Sequence, residues 1–232
     1  MTAILAIETS TPACSVSLAV GQKVFSRCCF EPRSHTRLIM QMIDAVLSDA
    51  ELSVSDLDAL AVTVGPGSFT GLRIGFSVAQ GLAFSSDIPV IPVSTLRVIA
   101  QTYWRKNPSA ASSDVAMTVL DARMGEFNCG AYQRDSLGQS YSVIDDQLLS
   151  REDALNLYAQ LQPSAVIGEA SQFFEAIENG QVMQDIYPEA EDLGALANGL
   201  YKMGAATAIE QVELVYLRGT DAWKKHTRVG TT

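Results

Sequence analysis

The pattern of apolar and polar positions is clearest between residues 59 and 83. Residues 59–64 form an apolar run rich in β-branched side chains, which predicts a buried strand. Gly65, Pro66 and Gly67 break this run because glycine tolerates positive φ and proline fixes its own φ. Ser68 is a favourable N-cap for a helix that continues to about residue 83. The rest of the chain is organised around this strand, turn and helix.

The predicted helix has a small residue at every fourth position: Gly71, Gly75, Ala79 and Ala83. Its narrow polar stripe consists of Thr70, Arg73, Ser77 and Gln80. The remaining surface is apolar, so the helix is expected to be buried nearly all round. It is either a core helix, or a helix with one face on its own sheet and another on a partner protein. A phosphate loop at its N-terminus is disfavoured because GPGSFTG lacks the lysine of a P-loop.

Three strands are predicted before this helix, at residues 3–9, 13–20 and 23–30, and short turns make them antiparallel. The first turn contains an acidic residue followed by three hydroxyls: Glu8, Thr9, Ser10 and Thr11. In actin-like and sugar-kinase ATPases, such a turn surrounds a phosphate. Serine, threonine and proline also populate turns for purely local reasons, so this turn alone is a weak indication of nucleotide binding.

A second amphipathic helix is predicted from Ser34 to about Ala50. Its wide apolar band consists of Leu38, Ile39, Met42, Ile43, Val46 and Leu47. This band is broader than one sheet contact requires, so part of it is available to a partner. His35 lies in the first turn of the helix, and no second histidine lies nearby to complete a metal site.

The second half of the chain repeats the plan of the first. A short strand at 88–93, whose prolines indicate either an edge strand or the ends of the strand, and a helix from Ser94 to about Lys106 complete the first half. Residues 107–113 have the composition of a linker. Strands are then predicted at 115–120, 126–133, 141–144, 165–167 and 211–218, with helices after Ser150 and from Glu189 to Met203. The expected organisation is therefore two similar α/β subdomains, at residues 1–106 and 114–232, with the last helix or tail docking back on the first.

Composition and charge narrow the functional classes. The chain has 232 residues and a formal net charge of −10, so its bulk surface is not expected to bind nucleic acid unaided. A locally basic tail at residues 223–228 is the exception. The four cysteines have no CxxC or zinc-finger spacing, and we expect them to be reduced and the protein to be cytoplasmic. No apolar run is long enough to span a membrane.

Four motifs together resemble the bacterial TsaB (YeaZ) family. They are IETSTPACSVSL near the N-terminus, GPGSFTGLRIG in the middle, DARMGEF after the linker, and VYLR followed by AWKK near the C-terminus. The resemblance covers nearly the whole chain and implies the actin-like ATPase (ribonuclease H-like) fold. It also implies a role in forming threonylcarbamoyladenosine beside the anticodon of tRNAs that read codons beginning with adenine.

The resemblance implies a partner subunit rather than a catalyst. Proteins of this family bind their catalytic paralogue TsaD, together with the ATPase TsaE, and contact tRNA only through that complex. Two helices of each protein pack as a four-helix bundle, and the corresponding residues here are His35, Leu38, Ile39, Met42, Val46, Phe69, Thr70, Gly71, Leu72, Arg73, Gly75, Phe76, Ala79 and Gln80. The small-residue seam would permit this close packing, and the same patch should drive homodimerisation when TsaD is absent.

The resemblance also implies that the catalytic metal site is absent. TsaD-like chains carry two metal-binding histidines, and the matching positions here are Thr95 and Ile99, which are poor or impossible ligands. Glu8, Thr9, Ser10 and Thr11 keep the pattern of a vestigial nucleotide site, to which Asp121 and Arg123 would also belong. Acidic Asp121 and Glu169 would repel phosphates, so ATP or ADP is expected, if at all, at the interface with the partner.

Two alternative functions remain. An independent small-molecule kinase or ATPase of the same fold would be indicated by tight ATP binding to the isolated chain. A peptidase is disfavoured because the sequence has only two histidines and contains no HExxH motif. It also lacks an evident Ser-His-Asp set.

Overall fold

The computed structural model describes residues 2–31, 34–174 and 181–218. Two five-stranded sheets are present in this part of the chain, and both have the same topology. The first has the order β3-β2-β1-β4-β5, and its strands are β1 (Ala3–Glu8), β2 (Ala13–Val20), β3 (Lys23–Phe30), β4 (Ala59–Gly65) and β5 (Val90–Ser94). Strands β1, β2 and β3 are antiparallel, whereas β4 and β5 run parallel to β1. The antiparallel start and the edge position of β5 are confirmed.

The second sheet repeats this plan with the order β8-β7-β6-β9-β10. Its strands are β6 (Ala116–Asp121), β7 (Glu126–Arg134), β8 (Ser140–Ser150), β9 (Ala165–Ile167) and β10 (Gln181–Met183). Strand β8 is much longer than the predicted 141–144 because its register with β7 shifts near Ala131 and then continues. This duplicated arrangement is the actin-like fold that the sequence analysis implies.

Five α-helices connect or cover the sheets in the described residues. They are α1 (His35–Ala50), α2 (Phe69–Ser86), α3 (Thr95–Lys106), α4 (Arg151–Leu161) and α5 (Ala190–Lys202). The hydroxyls of Ser68, Ser94 and Ser150 accept hydrogen bonds from the third amide of their helices, so these predicted N-caps are confirmed. Ser34 is an exception, since its hydroxyl instead donates to the carbonyl of Glu31.

The two halves are joined because each contributes a helix to the other's sheet. Helix α5 comes from the second half but packs Leu193 and Leu196 against Ala6 and Ala61 of the first sheet. Helix α3 comes from the first half but buries Trp104 against the second sheet. A bidentate hydrogen bond from Arg105 to Asp192 ties the two helices together. The division of the chain at residues 107–113 into two domains stays a prediction.

Helices α1 and α2 cover the opposite face of the first sheet. Side chains alternate along β1, so Leu5 and Ile7 point to α1 and α2 while Ile4 and Ala6 point to α5. Helix α2 is not buried all round, because exposed residues follow its outer side. Of the two interpretations of α2, the core helix is therefore wrong for this chain by itself.

Residues 212–218 form a strap rather than the predicted strand. The strap follows a short 3₁₀ helix, Ile209–Gln211, and crosses the end of β4, where the amide of Val215 donates to the carbonyl of Val64 at 2.7 Å. A Cβ on Gly65 would lie 2.4 Å from the carbonyl oxygen of Val215, which explains the glycine there. A single backbone bond to β4 does not form a ladder, and this is why the β-like sequence is not a strand.

Two further expectations concern the whole chain. All four cysteines are free, as predicted. No helix in the described ranges is long and apolar enough to cross a membrane. The basic segment at 223–228 lies outside the described residues.

Candidate functional site

The first turn, residues 8–11, is sealed inside the protein. The Glu8 carboxyl is fully buried, and its Oε1 accepts hydrogen bonds from the amide and hydroxyl of Ser10, both at 2.6 Å. Burial raises the pKa of this carboxyl to about 7, and the bonds from Ser10 offset only part of that effect. Thr9, Ser10 and Thr11 are also buried. The four side chains predicted as a vestigial nucleotide site are therefore close together but closed to a ligand in this structure.

Helix α2 forms the lid over this turn. Thr9 Oγ1 donates to the Gly71 carbonyl at 2.8 Å. A Cβ on Gly71 would lie 2.1 Å from the Thr9 carbonyl oxygen, and one on Gly75 would lie 2.3 Å from Thr9 Oγ1. The first turn of the same chain therefore packs against the small residues of α2, Gly71 and Gly75. The prediction that Gly71, Gly75 and Ala79 admit a partner helix is wrong, because these residues are buried within this chain.

His35 also belongs to the interior rather than to a partner surface. Its Nε2 lies 3.0 Å from the Thr11 carbonyl oxygen and 3.3 Å from that of Ala13. Because both neighbours are acceptors, Nε2 carries a proton and donates to them. The other predicted partner residues with buried positions are Ile39, Val46 and Leu72. Val46 and Leu72 therefore cannot contact a partner without a change in packing, whereas Ile39 also lines the groove between α1 and α2.

The remaining predicted partner residues do lie at the surface. Phe69, Thr70, Arg73 and Gln80 are exposed, whereas Leu38, Met42 and Phe76 are half-buried. Between α1 and α2 runs a groove of about 560 Å³, lined by Thr36, Ile39, Met40, Phe69, Thr70, Arg73, Ile74, Ser77 and Val78. Phe69 is 52% exposed and Met40 is 45% exposed. We name this groove and its rim the α1–α2 face.

The C-terminal strap contributes to this face. The ring of Tyr216 lies 5.6 Å from that of Phe69, and its hydroxyl accepts a hydrogen bond from Arg73 Nε at 3.3 Å. The Arg73 guanidinium also lies 3.7 Å from the centre of the Phe69 ring. Tyr216 was missed as a site residue, although it lies in the VYLR motif, because the motif was predicted to be a strand.

The second turn, between β6 and β7, brings together Asp121 and Arg123. Asp121 Oδ1 accepts from the Arg123 amide at 2.7 Å, and the two side chains form an ion pair at 3.1 Å. Arg123, Met124 and Gly125 all have positive φ, at 66°, 58° and 77°. Two successive non-glycine residues in this conformation are uncommon and need support from their surroundings.

Arg218, at the end of the strap, provides that support. Its guanidinium donates to the carbonyls of Ala122 and Arg123 at 3.1 and 3.0 Å and pairs with Glu126 at 2.5 Å. The DARMGE and VYLR motifs are therefore physically joined, which the sequence pattern did not indicate. Glu169 lies near Asp121, and the pKa of its carboxyl is raised by burial first and by the Asp121 charge second. The two carboxylates form an acidic pair at this point, and the expectation that they repel phosphate stays a prediction.

The positions that match metal-binding histidines in TsaD-like chains lie in the core. Thr95 and Ile99 are completely buried on α3, where Ile99 packs with Leu96 and Trp104. Within the described ranges, no group of three or more histidine, cysteine, aspartate or glutamate side chains could hold a metal ion.

Comparisons with known proteins show the family to which the chain belongs. Residues 31–198 match the TsaD family, described as tRNA N6-adenosine threonylcarbamoyltransferase. The chain is 40% identical over 228 residues to the tRNA threonylcarbamoyladenosine biosynthesis protein TsaB of Escherichia coli, covering 96% of this chain and 97% of that protein. The TsaB protein of Haemophilus influenzae is 33% identical, with 96% of each chain covered.

A solved structure, YeaZ from Pseudomonas aeruginosa, has a TM-score of 0.83 and 32% identity, and the match covers 94% of this chain and all of that one. Sequence and structure are thus similar over nearly the full length, and the similarity includes both sheets. The chain belongs to the TsaB (YeaZ) family of tRNA threonylcarbamoyladenosine biosynthesis proteins.

Proposed function

We propose that this chain is a non-catalytic partner subunit that binds a TsaD-like catalytic subunit in the formation of threonylcarbamoyladenosine in tRNA. The observation that carries the proposal is the α1–α2 face. Large apolar side chains such as Phe69 and Met40 stand exposed around a continuous groove. Exposed apolar patches of this kind mark protein-binding surfaces.

The residues at the positions of the expected metal ligands support the non-catalytic role. Thr95 and Ile99 stand at the positions of the expected histidine pair and are buried in a packed core, where a threonine hydroxyl is a poor metal ligand and an isoleucine side chain cannot be one. The first turn is closed by α2, and the second turn presents carboxylates near the place of a phosphate. An isolated chain built in this way is not expected to bind ATP tightly. This disfavours the alternative of an independent kinase or ATPase.

The proposed mode of assembly uses the same face. The exposed sides of α1 and α2 pack against two helices of the catalytic subunit, and a TsaE-like ATPase joins that pair. In this proposal, contact with tRNA occurs through the complex, and the place for ATP or ADP, if either is bound, is the interface between the subunits. In the absence of the partner, two copies of this chain associate through the α1–α2 face and form a homodimer.

A substitution that places a charged side chain in the groove tests this proposal. Phe69→Asp should abolish co-purification with the catalytic subunit of the same organism and shift the isolated chain from dimer to monomer in solution. A charged group in a desolvated apolar interface is strongly unfavourable. Leu137→Asp is a matched control, because Leu137 is 86% exposed in the β7–β8 turn, away from this face. A folded Phe69→Asp protein that still binds the catalytic subunit with wild-type affinity would remove the α1–α2 face from the interface.

The non-catalytic role has its own measurement. The isolated chain should form no threonylcarbamoyladenosine from tRNA, threonylcarbamoyl-adenylate and metal, and it should show no tight ATP binding by calorimetry. Turnover by the pure chain, with the catalytic subunit shown to be absent, would contradict the proposal. Micromolar or tighter ATP binding by the chain alone would favour the kinase alternative.

A further inference from the structure

One arginine on the α1–α2 face is held in a fixed position although it is exposed. Arg73 lies one helical turn after Phe69, and its guanidinium covers the Phe69 ring at 3.7 Å. Its Nε donates to the hydroxyl of Tyr216, which comes from the distant strap. The rings of Phe69 and Tyr216 also contact each other, so three side chains fix one another. Such an arrangement reduces the rotamer freedom that a long side chain loses on binding.

The terminal nitrogens of Arg73 have no carboxylate partner among the described residues. Five other arginines do form ion pairs with carboxylates: Arg27, Arg37, Arg105, Arg123 and Arg218. Arg97, Arg134 and Arg151 also have no carboxylate partner among the described residues, but Arg97 and Arg134 donate to backbone carbonyls and Arg151 lies on α4. What distinguishes Arg73 is that it is held by Phe69 and Tyr216 beside the apolar groove. The residues around Arg73 in the groove include Ile74, Val78 and Met40, which offer no charge to it.

We propose that Arg73 binds a carboxylate of the partner subunit that docks on the α1–α2 face, and that Phe69 and Tyr216 position its guanidinium for this contact. This inference rests on the proposed function. A planar guanidinium binds a carboxylate through two parallel hydrogen bonds, and docking would exclude water from the pair. A phosphate of tRNA fits the site less well, because nucleic-acid backbones are bound by several cations and this groove is otherwise apolar.

The test measures the affinity of the purified chain for the TsaD-like catalytic subunit of the same organism by calorimetry, in nuclease-treated samples. Arg73→Gln should weaken binding about thirtyfold, since one member of a desolvated charge pair is removed. The variant should also have a flatter salt dependence than the wild type. Arg73→Lys should recover only part of the affinity, because lysine keeps the charge but not the planar pair of donors.

Tyr216→Phe tests the positioning role, since it removes only the hydroxyl that holds Arg73. We expect a loss of about threefold, the usual effect of one hydrogen bond. Combined with Arg73→Gln, the same change should have no additional effect, because both act through one contact. Arg151→Gln is the matched control: Arg151 lies 6.0 Å from the Phe173 ring, on α4 in the second half. The Arg151→Gln variant should bind the catalytic subunit with the affinity of the wild type.

The outcomes separate this inference from the function on which it rests. If the wild-type chain does not bind the catalytic subunit, the proposed function fails and the inference fails with it. If the wild type binds and a folded Arg73→Gln protein binds equally well at every salt concentration, only the inference is overturned. An effect that appears only after tRNA is added would likewise overturn the carboxylate contact, because it would assign Arg73 to a phosphate.

Discussion

The two halves of this chain place a turn at the same point of the same sheet plan, and the two turns differ in their surroundings. The first follows β1 and is closed to solvent by α2 and His35. The second follows β6 and is exposed, with Arg123 85% exposed at the side chain. An acidic residue ends the strand in both cases, Glu8 in one and Asp121 in the other. The comparison shows that equivalent positions of a duplicated fold become core or surface according to what packs over them.

The physical difference lies in the helix that follows the fourth strand of each half. In the first half, Gly71 and Gly75 let α2 approach the turn until backbone and hydroxyl atoms are in contact. In the second half, the described residues between β9 and β10 include a short 3₁₀ helix, Ser171–Phe174. The second turn is held from outside, by Arg218 of the strap. Substitutions at Gly71, Glu8 and Arg218 test this difference between the two turns.

The largest effect is expected where α2 seals the first turn. Gly71→Ala would place a Cβ 2.1 Å from the Thr9 carbonyl oxygen, which is backbone and cannot rotate away. We expect the free energy of unfolding to fall by about 3 kcal/mol, at the upper end of overpacking effects. Chemical denaturation of the purified protein measures this change.

Gly81→Ala is the control for this change, since it lies in the same helix with nothing within 4 Å of its added Cβ. It should stabilise the protein by about 0.5–1 kcal/mol through helix propensity. Equal effects of the two substitutions would show that α2 does not close the first turn. Gly75→Leu is likewise expected to destabilise the fold, because a Cβ on Gly75 would lie 2.3 Å from Thr9 Oγ1.

The next effect concerns the charge that the sealed turn contains. Because burial raises the folded-state pKa of Glu8 to about 7, the folded state binds a proton that the unfolded state has already released. The contribution of Glu8 to the free energy of unfolding is therefore fully present below the unfolded-state pKa of about 4.5. It is lost as the pH rises to the folded-state pKa of about 7. The total loss is on the order of 3 kcal/mol, at about 1.4 kcal/mol for each pKa unit.

Glu8→Gln should remove this slope, so that the variant gains stability relative to the wild type between pH 4.5 and pH 7. Denaturation midpoints across this range provide the measurement. Glu210→Gln, at an exposed position, should keep the wild-type slope. A Glu8→Gln protein with an unchanged slope would contradict a buried, proton-binding Glu8.

The smallest effect is expected at the exposed turn. Arg218→Met removes two hydrogen bonds to carbonyls and the ion pair with Glu126, so the strained turn loses its support. We expect a loss of about 1–2 kcal/mol in stability and faster cleavage by trypsin after Arg123. Arg37→Met breaks an exposed ion pair with Glu31 and should change stability by less than about 0.5 kcal/mol. If trypsin cleaves both variants like the wild type, Arg218 does not hold the turn.

Much of the fold could be predicted because its signals are local. The apolar and polar pattern and the turn residues between the strands predicted β1, β2 and β3. The serines at positions 68, 94 and 150 predicted the starts of three helices. These patterns depend on contacts within a few residues, which a sequence shows directly. Four motifs spread along the chain were also sufficient to predict the family and its duplicated fold.

The sequence alone did not decide which face of an apolar helix belongs to the chain itself. The seam of Gly71 and Gly75 indicates close approach, but only the tertiary structure shows that the approaching atoms are those of Thr9. His35 has the pattern of a surface residue and is buried by β2, and Tyr216 has the pattern of a strand residue and packs on α2. In each case the deciding contact joins residues far apart in the chain. The local periodicity of a helix indicates which of its residues are buried. Which segment of the chain packs against those residues depends on tertiary contacts, which the local pattern does not contain.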